Sequence, residues 1–384
     1  MKVLVVHNAY QSHHVGGEDV VVSREIEALQ TLLGKDQVFE YYVSNDQIRL
    51  VKLAKTIWGD KYHRQQIFHL VKEHQIDIVH VHNFFPLLTP SVFAGAKAAG
   101  AKVVHTLHNF RWWCLSGILY RKEVGHCEMC VNKKFAWPGI FYRCYRHSWI
   151  QSLVAALAFF WYRIKQSQKN IDAYFVLSHS QQEKLKNLIP ANKLLLKPDG
   201  ITFLTTVQRE VSQKKGYLFV GRLEAPKGVE CLLATWQKLP SHFQLTLIGN
   251  GEDFALLQKR YTQENIHFLG KLSPNEVLAH MSQAKYLVHP SLMVETFGLT
   301  MIEAMSVGTP VIGFDRGTRK EFISSGKNGF LCQPDTLQQT IETSYDYSGY
   351  EALSREARQF AQAFALPEVI QKQVALYQRL LDDA

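Results

Sequence analysis

Four charged residues in the C-terminal half have the types and spacing that recognise a phosphorylated, hydroxyl-rich ligand. Glu295 and Glu303 lie eight positions apart, the first in a loop after the apolar run Lys285–His289 and the second two turns on in a predicted helix. Carboxylates so placed face one crevice and accept hydrogen bonds from neutral hydroxyls such as those of sugars and riboses. That helix is predicted to begin near Phe297 and to end at Gly308, so the free N–H groups of Phe297, Gly298, Leu299 and Thr300 and the positive dipole end suit an anion. Arg222 and Lys227, five apart in a loop between Gly221 and Gly228, can reach the same phosphates, one as a planar fork and the other as a point charge. Taken singly, Glu295 also reads as a helix cap, and Glu303, Arg222 and Lys227 as solvated surface charges.

A second group sits in the N-terminal half, just past the ends of predicted strands. His7-Asn8 is followed by Gly16-Gly17-Glu18-Asp19; His80-Val81-His82-Asn83 leads to Phe85 and Pro86; and His108-Asn109 follows Lys102–His105. In open parallel sheets ligands bind outside the carboxyl ends of the strands, which places His82, Asn83 and His108 where chemistry can occur. Gly16 and Gly17 let a ligand approach backbone at a helix start, although their spacing is not the dinucleotide fingerprint and a simple turn explains them equally. A lone loop histidine is also an ordinary structural residue.

The elements that must hold these residues alternate strand and helix. Strands are predicted at 1–6, 76–81, 102–105, 173–177, 194–196, 216–221, 244–248 and 285–289, with a helix over Val20–Leu33 and helices through 335–364. Most of these strands run into glycine-, histidine- or serine-containing loops, among them Gly249-Asn250-Gly251-Glu252, which is the pattern of doubly wound α/β domains. A chain of 384 residues, 46% hydrophobic and 20% charged, is long enough for two cores. The polar stretch 208–215 divides it: residues 1–200 form the first domain and 201–366 the second, and a last amphipathic helix, 367–384, set off by Pro367, returns to the first. No signal peptide precedes the first strand and no apolar run reaches the ~18 residues of a membrane helix, so a cytosolic protein with reduced or metal-bound cysteines is expected.

Arg222 and Lys227 in a glycine loop, followed by Glu295-x7-Glu303, resemble the retaining GT-B glycosyltransferases of family 4. His7-Asn8 with Gly16-Gly17-Glu18-Asp19, His80-Val81-His82-Asn83 with Pro86, and His108-Asn109-Phe110-Arg111 extend the resemblance over nearly the whole chain. It implies two Rossmann-like domains facing a central cleft, with a nucleotide-diphosphate sugar (UDP- or GDP-linked) on the second and the acceptor on the first. By matching position, Arg222 and Lys227 stabilise the departing diphosphate, Glu303 takes the ribose, Glu295 a donor-sugar hydroxyl, and Phe297 to Thr300 offer N–H groups. Gly16 and Gly17 lie against the diphosphate and His108 near the reacting carbon. Gly221, Gly249, Gly251, Leu269 and Gly270 line the nucleotide site, and His82, Asn83, Phe85 and Pro86 the acceptor side. No Asp-x-Asp occurs, so no metal cofactor is expected in catalysis, and no covalent nucleophile stands out, which favours front-face attack with retained configuration. Asp199 before Gly200, and Arg316-Gly317, depart from the family pattern.

The charge is uneven. Net charge is +9, and from Arg111 to Lys165 nine Lys or Arg stand against Glu123 and Glu128. This insert carries Cys114, Cys127, Cys130 and Cys144, whose spacing is compatible with a structural zinc, with packed thiols or with disulfides. A similar Cys-x2-Cys insert occurs in bacterial polysaccharide-assembly members of the resembled family. Trp149 to Tyr162 is too short to span a bilayer; flanked by cations, it suits an anionic membrane surface or a buried helix with a basic rim, with Trp149, Phe160 or Trp161 toward lipid. Nucleic-acid binding lacks a motif. The expected activity is a retaining, metal-independent hexosyl transfer onto a lipid-linked cell-surface glycan of capsule or O-antigen (lipopolysaccharide) type, at the cytoplasmic face of the membrane. The alternatives are an epimerase or hydrolase of nucleotide sugars, or a non-catalytic binding partner.

Overall fold

The computed structural model describes residues 1–10, 17–47, 56–203 and 210–383. Two compact units emerge, residues 1–119, 128–200 and 366–384 in one and 120–127 and 201–365 in the other.

Unit 1 is built on β1 (Val3–Ala9), β2 (Val38–Ser44), β3 (Ile78–Asn83) and β4 (Lys102–Thr106). A two-stranded ribbon, β5 (Tyr120–Arg121) and β6 (Gly125–His126), precedes β7 (Ala173–Val176) and β8 (Leu194–Leu196) in the chain. The six main strands run parallel in the order β2-β1-β3-β4-β7-β8. Apolar runs such as Val3-Leu4-Val5-Val6, fully buried, form its centre because helices cover both faces of a parallel sheet. Val22 and Ile26 of the helix Gly17–Leu33 share a core with Ile370 and Tyr377 of the C-terminal helix Leu366–Asp382. Pro367 falls inside the first turn of that last helix rather than before it, a position where the missing N–H costs nothing.

Unit 2 repeats the plan with β9 (Tyr217–Val220), β10 (Leu245–Ile248), β11 (Ile266–Gly270), β12 (Tyr286–His289), β13 (Val311–Phe314) and β14 (Gly329–Cys332), ordered β11-β10-β9-β12-β13-β14 and all parallel. Its core gathers Trp236, Tyr217, Tyr286, Phe314 and Leu353. Both units are therefore Rossmann-like α/β domains.

Among the described residues no helix is long and apolar enough to cross a membrane. The zinc expectation is not met: no three of the sulfurs of Cys114, Cys127, Cys130 and Cys144 come within 4.8 Å of one another, whereas a tetrahedral site draws its thiolates together around one ion. All six cysteines are thiols, and Cys114 Sγ lies 3.2 Å from Ser116 Oγ.

Candidate active site

In unit 2 the loops after β9 and β12 meet at a buried charge cluster. Pro226 O receives the backbone N–H of Leu292 at 2.9 Å, and Gly228, with φ +71°, packs so closely on Pro290 that a Cβ would stand 1.9 Å from its carbonyl oxygen. Only glycine allows this approach, which carries Lys227 onto Glu295. Lys227 Nζ donates to Glu295 Oε1 at 2.8 Å, and His289 Nε2 lies 3.8 Å from the same oxygen. Glu295 is 7% exposed; burial alone would raise its pKa, but Lys227, then His289 and Arg319, hold the carboxyl well below its usual range. Burial pushes His289 down to about 3 and Arg319 down to about 10, so at neutral pH the histidine is neutral and the guanidinium charged. Two cations against one carboxylate leave a local positive excess that fits an anion. His289 Nδ1 and Arg319 Nη1 are buried without a hydrogen-bond partner.

Beside this cluster the helix Leu299–Ser306 starts two residues later than the sequence pattern places it. Gly298 is its N-cap with φ 93°, a left-handed turn, so the first turn offers the N–H groups of Leu299 and Thr300, whereas the Phe297 ring is buried against Phe322 and Phe364. Glu303 lies half-buried one turn into the helix. Arg222 is 63% exposed at its side chain and pairs with Glu224 at 2.8 Å, separately from the Lys227–Glu295 pair.

The glycine loops of unit 2 also have a packing reason. A Cβ on Gly249 would meet Gly221 O at 1.9 Å and one on Gly251 would meet Leu223 O at 2.4 Å, while Gly249 N–H donates to Gly270 O at 2.8 Å. Leu269, beside Gly270 in β11, is 40% exposed.

Unit 1 places its histidines around one carboxylate. Glu25, from the helix Gly17–Leu33, accepts from Lys197 Nζ and, at 2.6 Å, from Gln373 Nε2. His80 Nδ1 and His82 Nε2 each lie 3.2 Å from Glu25 Oε1, and His82 Nδ1 is 2.9 Å from His108 Nε2. A carboxylate beside Nε2 favours the His82 tautomer protonated there, which leaves Nδ1 to accept from His108. Burial, with His80 and Lys197 adding to it against Glu25, pushes His82 down to about 3; burial and His82 hold half-buried His108 well below its ordinary value. Both imidazoles are neutral at pH 7. Glu25, His80 and His82 are the one group of three metal-ligating side chains among the described residues, and the Lys197 ammonium already supplies the cation there.

His82, Asn83, Phe85 and Pro86 are all buried. Asn83 Nδ2 donates to Asn8 O at 3.0 Å, its Oδ1 accepts from Phe85 N at 3.1 Å, and Phe85 packs on Tyr145 and Phe159. His82 and Asn83 end β3 and Phe85 and Pro86 lie in the loop after it; all four present little surface to an acceptor. Gly17 opens its helix, exposed, with nothing within 4 Å of a Cβ; Gly16 lies outside the described residues. Sequence reasoning missed Arg319, Glu25 and Lys197, which carry no local motif.

The comparisons with known proteins follow the same division. The family described as Glycosyltransferase Family 4 matches residues 31–202 and that described as Glycosyl transferases group 1 matches 202–349. A GDP-mannose-dependent alpha-mannosyltransferase of Corynebacterium glutamicum is 32% identical over 134 residues, 35% of this chain and 31% of its own length. An O-antigen chain mannosyltransferase C of Escherichia coli is 27% identical over 184 residues, 45% of this chain and 49% of its own. The chain thus spans half or less of these relatives. A crystal structure of Anabaena HepE in complex with UDP-glucose superposes with a TM-score of 0.67 over 99% of this chain and 100% of that one, at 16% identity. With both halves of the chain matched in order and both units folded as parallel Rossmann-like sheets, the chain belongs to the group 1 glycosyltransferases of the GT-B fold.

Proposed function

We propose that this glycosyltransferase moves a hexosyl group from a nucleotide-diphosphate sugar held by unit 2 to a hydroxyl of a growing, lipid-linked cell-surface glycan, with retained configuration and without a metal cofactor. The cluster of Lys227, Glu295, His289 and Arg319 at the start of the helix Leu299–Ser306 carries the reading. As the bond from the anomeric carbon to the diphosphate breaks, negative charge grows on the leaving oxygen, and preorganised cations and N–H groups lower that barrier. Lys227, Arg222 and the N–H groups of Leu299 and Thr300 serve the diphosphate, Glu303 the ribose, and Glu295 a hydroxyl of the donor sugar. His108, paired with His82, serves the sugar near its reacting carbon, and we assign His82, Asn83, Phe85 and Pro86 to positioning. Incubating the protein with labelled UDP- and GDP-sugars and lipid-linked glycan acceptors should yield an extended lipid from one donor, with retained configuration, in the presence of EDTA. Absence of transfer from every donor tested would refute the proposal.

The membrane part of the reading rests on the helix Trp149–Ile164, which is apolar on two sides. Ser152, Ala155, Ala156, Phe159 and Tyr162 are buried in unit 1, while Trp149, Ile150, Leu153, Leu157 and Ile164 form an exposed stripe, joined by Trp137 and Phe141 of the preceding helix. Such a stripe exceeds what a soluble surface carries by chance. No Asp or Glu lies between Glu128 and Asp172, whereas Lys133, Lys134, Arg143, Arg146 and Lys165 are exposed there. Anionic lipid complements this face. Trp161 packs edge-on against Trp58, and Arg163 Nη2 donates to Trp112 O at 2.7 Å, so these two belong to the structure more than to the lipid contact. Changing Trp137 and Ile150 to Ser together should cut co-sedimentation with phosphatidylglycerol vesicles about tenfold or more. Wild-type binding should weaken as salt rises; equal pelleting of both proteins would exclude this face.

A further inference from the structure

Unit 2 holds a second cationic cavity at the edge of its sheet opposite the charge cluster. Lys214 and Thr309 precede β9 and β13, whereas Lys227 and Glu295 follow the carboxyl ends of β9 and β12. The cavity, about 480 Å³, is lined by Lys214, Arg355 and Arg358, with Ser354, Gln359 and Gln362 among its polar walls. Lys214 is 5% exposed, and its ammonium donates to two neutral oxygens, Val307 O at 3.0 Å and Thr309 Oγ1 at 2.7 Å. The carbonyl end of the helix Leu299–Ser306 offsets part of that charge. No carboxylate pairs with Lys214, Arg355 or Arg358 among the described residues, and Glu351, the one acid on the wall, pairs with none of them. Burial and the Arg358 guanidinium push the Lys214 ammonium down to about 7.

Lys214 is a buried ammonium held only by neutral oxygens, beside the half-buried Arg358 and the exposed Arg355, and an anion sharing the space would offset these charges. Both guanidiniums come from one face of the helix Tyr350–Ala361, three positions apart, which suits two forks on one tetrahedral oxyanion. The amides of Gln359 and Gln362 add donors and acceptors for hydroxyls, and the volume holds more than a bare ion. We infer that this cavity is a binding site for a phosphate monoester bearing hydroxyls, separate from the donor site. Its walls come from both ends of unit 2, Lys214 from the segment entering the sheet and Gln362 from the segment leaving it. An occupant would therefore clamp those two segments together.

The test uses the full chain with inorganic phosphate and, separately, ribose 5-phosphate, followed by thermal shift at fixed ionic strength. Wild type and Lys227→Ala should both show a saturable rise in Tm, and Arg355→Gln with Arg358→Gln should weaken the apparent affinity about tenfold or more. An unchanged Tm without phosphate shows that the paired variant is folded; should it not fold, Arg355→Gln alone, at an exposed side chain, should still weaken binding by about threefold. The inference is overturned by an unaltered phosphate response in the arginine variants, by loss of the response in Lys227→Ala, or by no saturable response in wild type. Tighter binding of ribose 5-phosphate than of phosphate supports the hydroxyl contacts, and equal affinity removes them.

Discussion

Replacing Lys227 with alanine is expected to lower kcat for sugar transfer by about 10² to 10³, the loss typical of removing one preorganised donor from developing transition-state charge. Lys227 Nζ is the partner of Glu295 Oε1 at 2.8 Å, with side chains 21% and 8% exposed, so the lysine is the more open of the pair. Without the ammonium, Glu295 keeps only neutral His289 and Arg319. Breaking a buried pair by removing one partner costs about 3–5 kcal/mol, and because Arg319 remains and Lys227 is partly solvated we expect about 2 kcal/mol. In a unit of this size that lowers Tm by roughly 4–8 °C. Lys227→Arg restores charge but not a point-like ammonium and should recover stability more fully than kcat. Initial rates at saturating donor, read beside thermal midpoints, check both parts. A kcat for Lys227→Ala within threefold of wild type would remove Lys227 from the chemistry, whatever the midpoint did.

The residues that were legible in the sequence are those whose reasons are local. β1, β4, β7, β9, β10 and β12 appear as short apolar runs ended by glycine, histidine or serine, and parallel burial explains both features. β2 carries no such signal, because Val38-Phe-Glu-Tyr-Tyr-Val-Ser44 is an edge strand of mixed exposure with no continuous apolar run. The helix after Glu295 starts two residues later than periodicity predicts, because its start is set by the left-handed Gly298, a backbone choice that periodicity does not encode. Lys227 and Glu295 were each singled out for a ligand, but their pairing across 68 residues was not, and Arg319 was invisible. Its guanidinium is 1% exposed, with Nε donating to Phe314 O at 3.0 Å, whereas Thr318-Arg-Lys-Glu reads as a solvated helix start. The zinc expectation failed for the converse reason: cysteine spacing reports proximity along the chain, and the fold of the insert does not gather the sulfurs.

The same limit hid the buried ion pair of unit 1, Glu25 with Lys197. Replacing Glu25 with leucine is expected to destabilise unit 1 by about 3–5 kcal/mol, because it strips the counterion from a buried lysine. Lys197, 2% exposed, donates to Glu25 Oε2 across 172 positions, and Gln373 donates to Oε1 across 348. Burial opposes ionisation of Glu25, but Lys197 first and then His82 and His80 hold its carboxyl well below the usual range. The double replacement Glu25→Leu with Lys197→Met removes both charges and should recover more than half of the loss, since replacing a whole buried pair by apolar groups is often neutral or better. Burial holds His80, His82, His105, His108 and His289 below their ordinary value, His105 down to about 4, so the folded chain takes up fewer protons on them than the unfolded chain as pH falls. Their contribution is present above about pH 6.5 and lost as pH falls below it. Glu18 and Asp199, raised by burial to about 7, act in the opposite sense, binding protons in the folded state between about pH 4.5 and 7. Five lowered histidines against two raised carboxyls leave a net loss of stability on acidification below about pH 6.5. Urea unfolding at pH 7.5, 6.5 and 5.5 reads this directly: midpoints that stay level down to 5.5 would show the histidines protonated in the fold, and a double variant no more stable than Glu25→Leu would show that Lys197 was never the source of the cost.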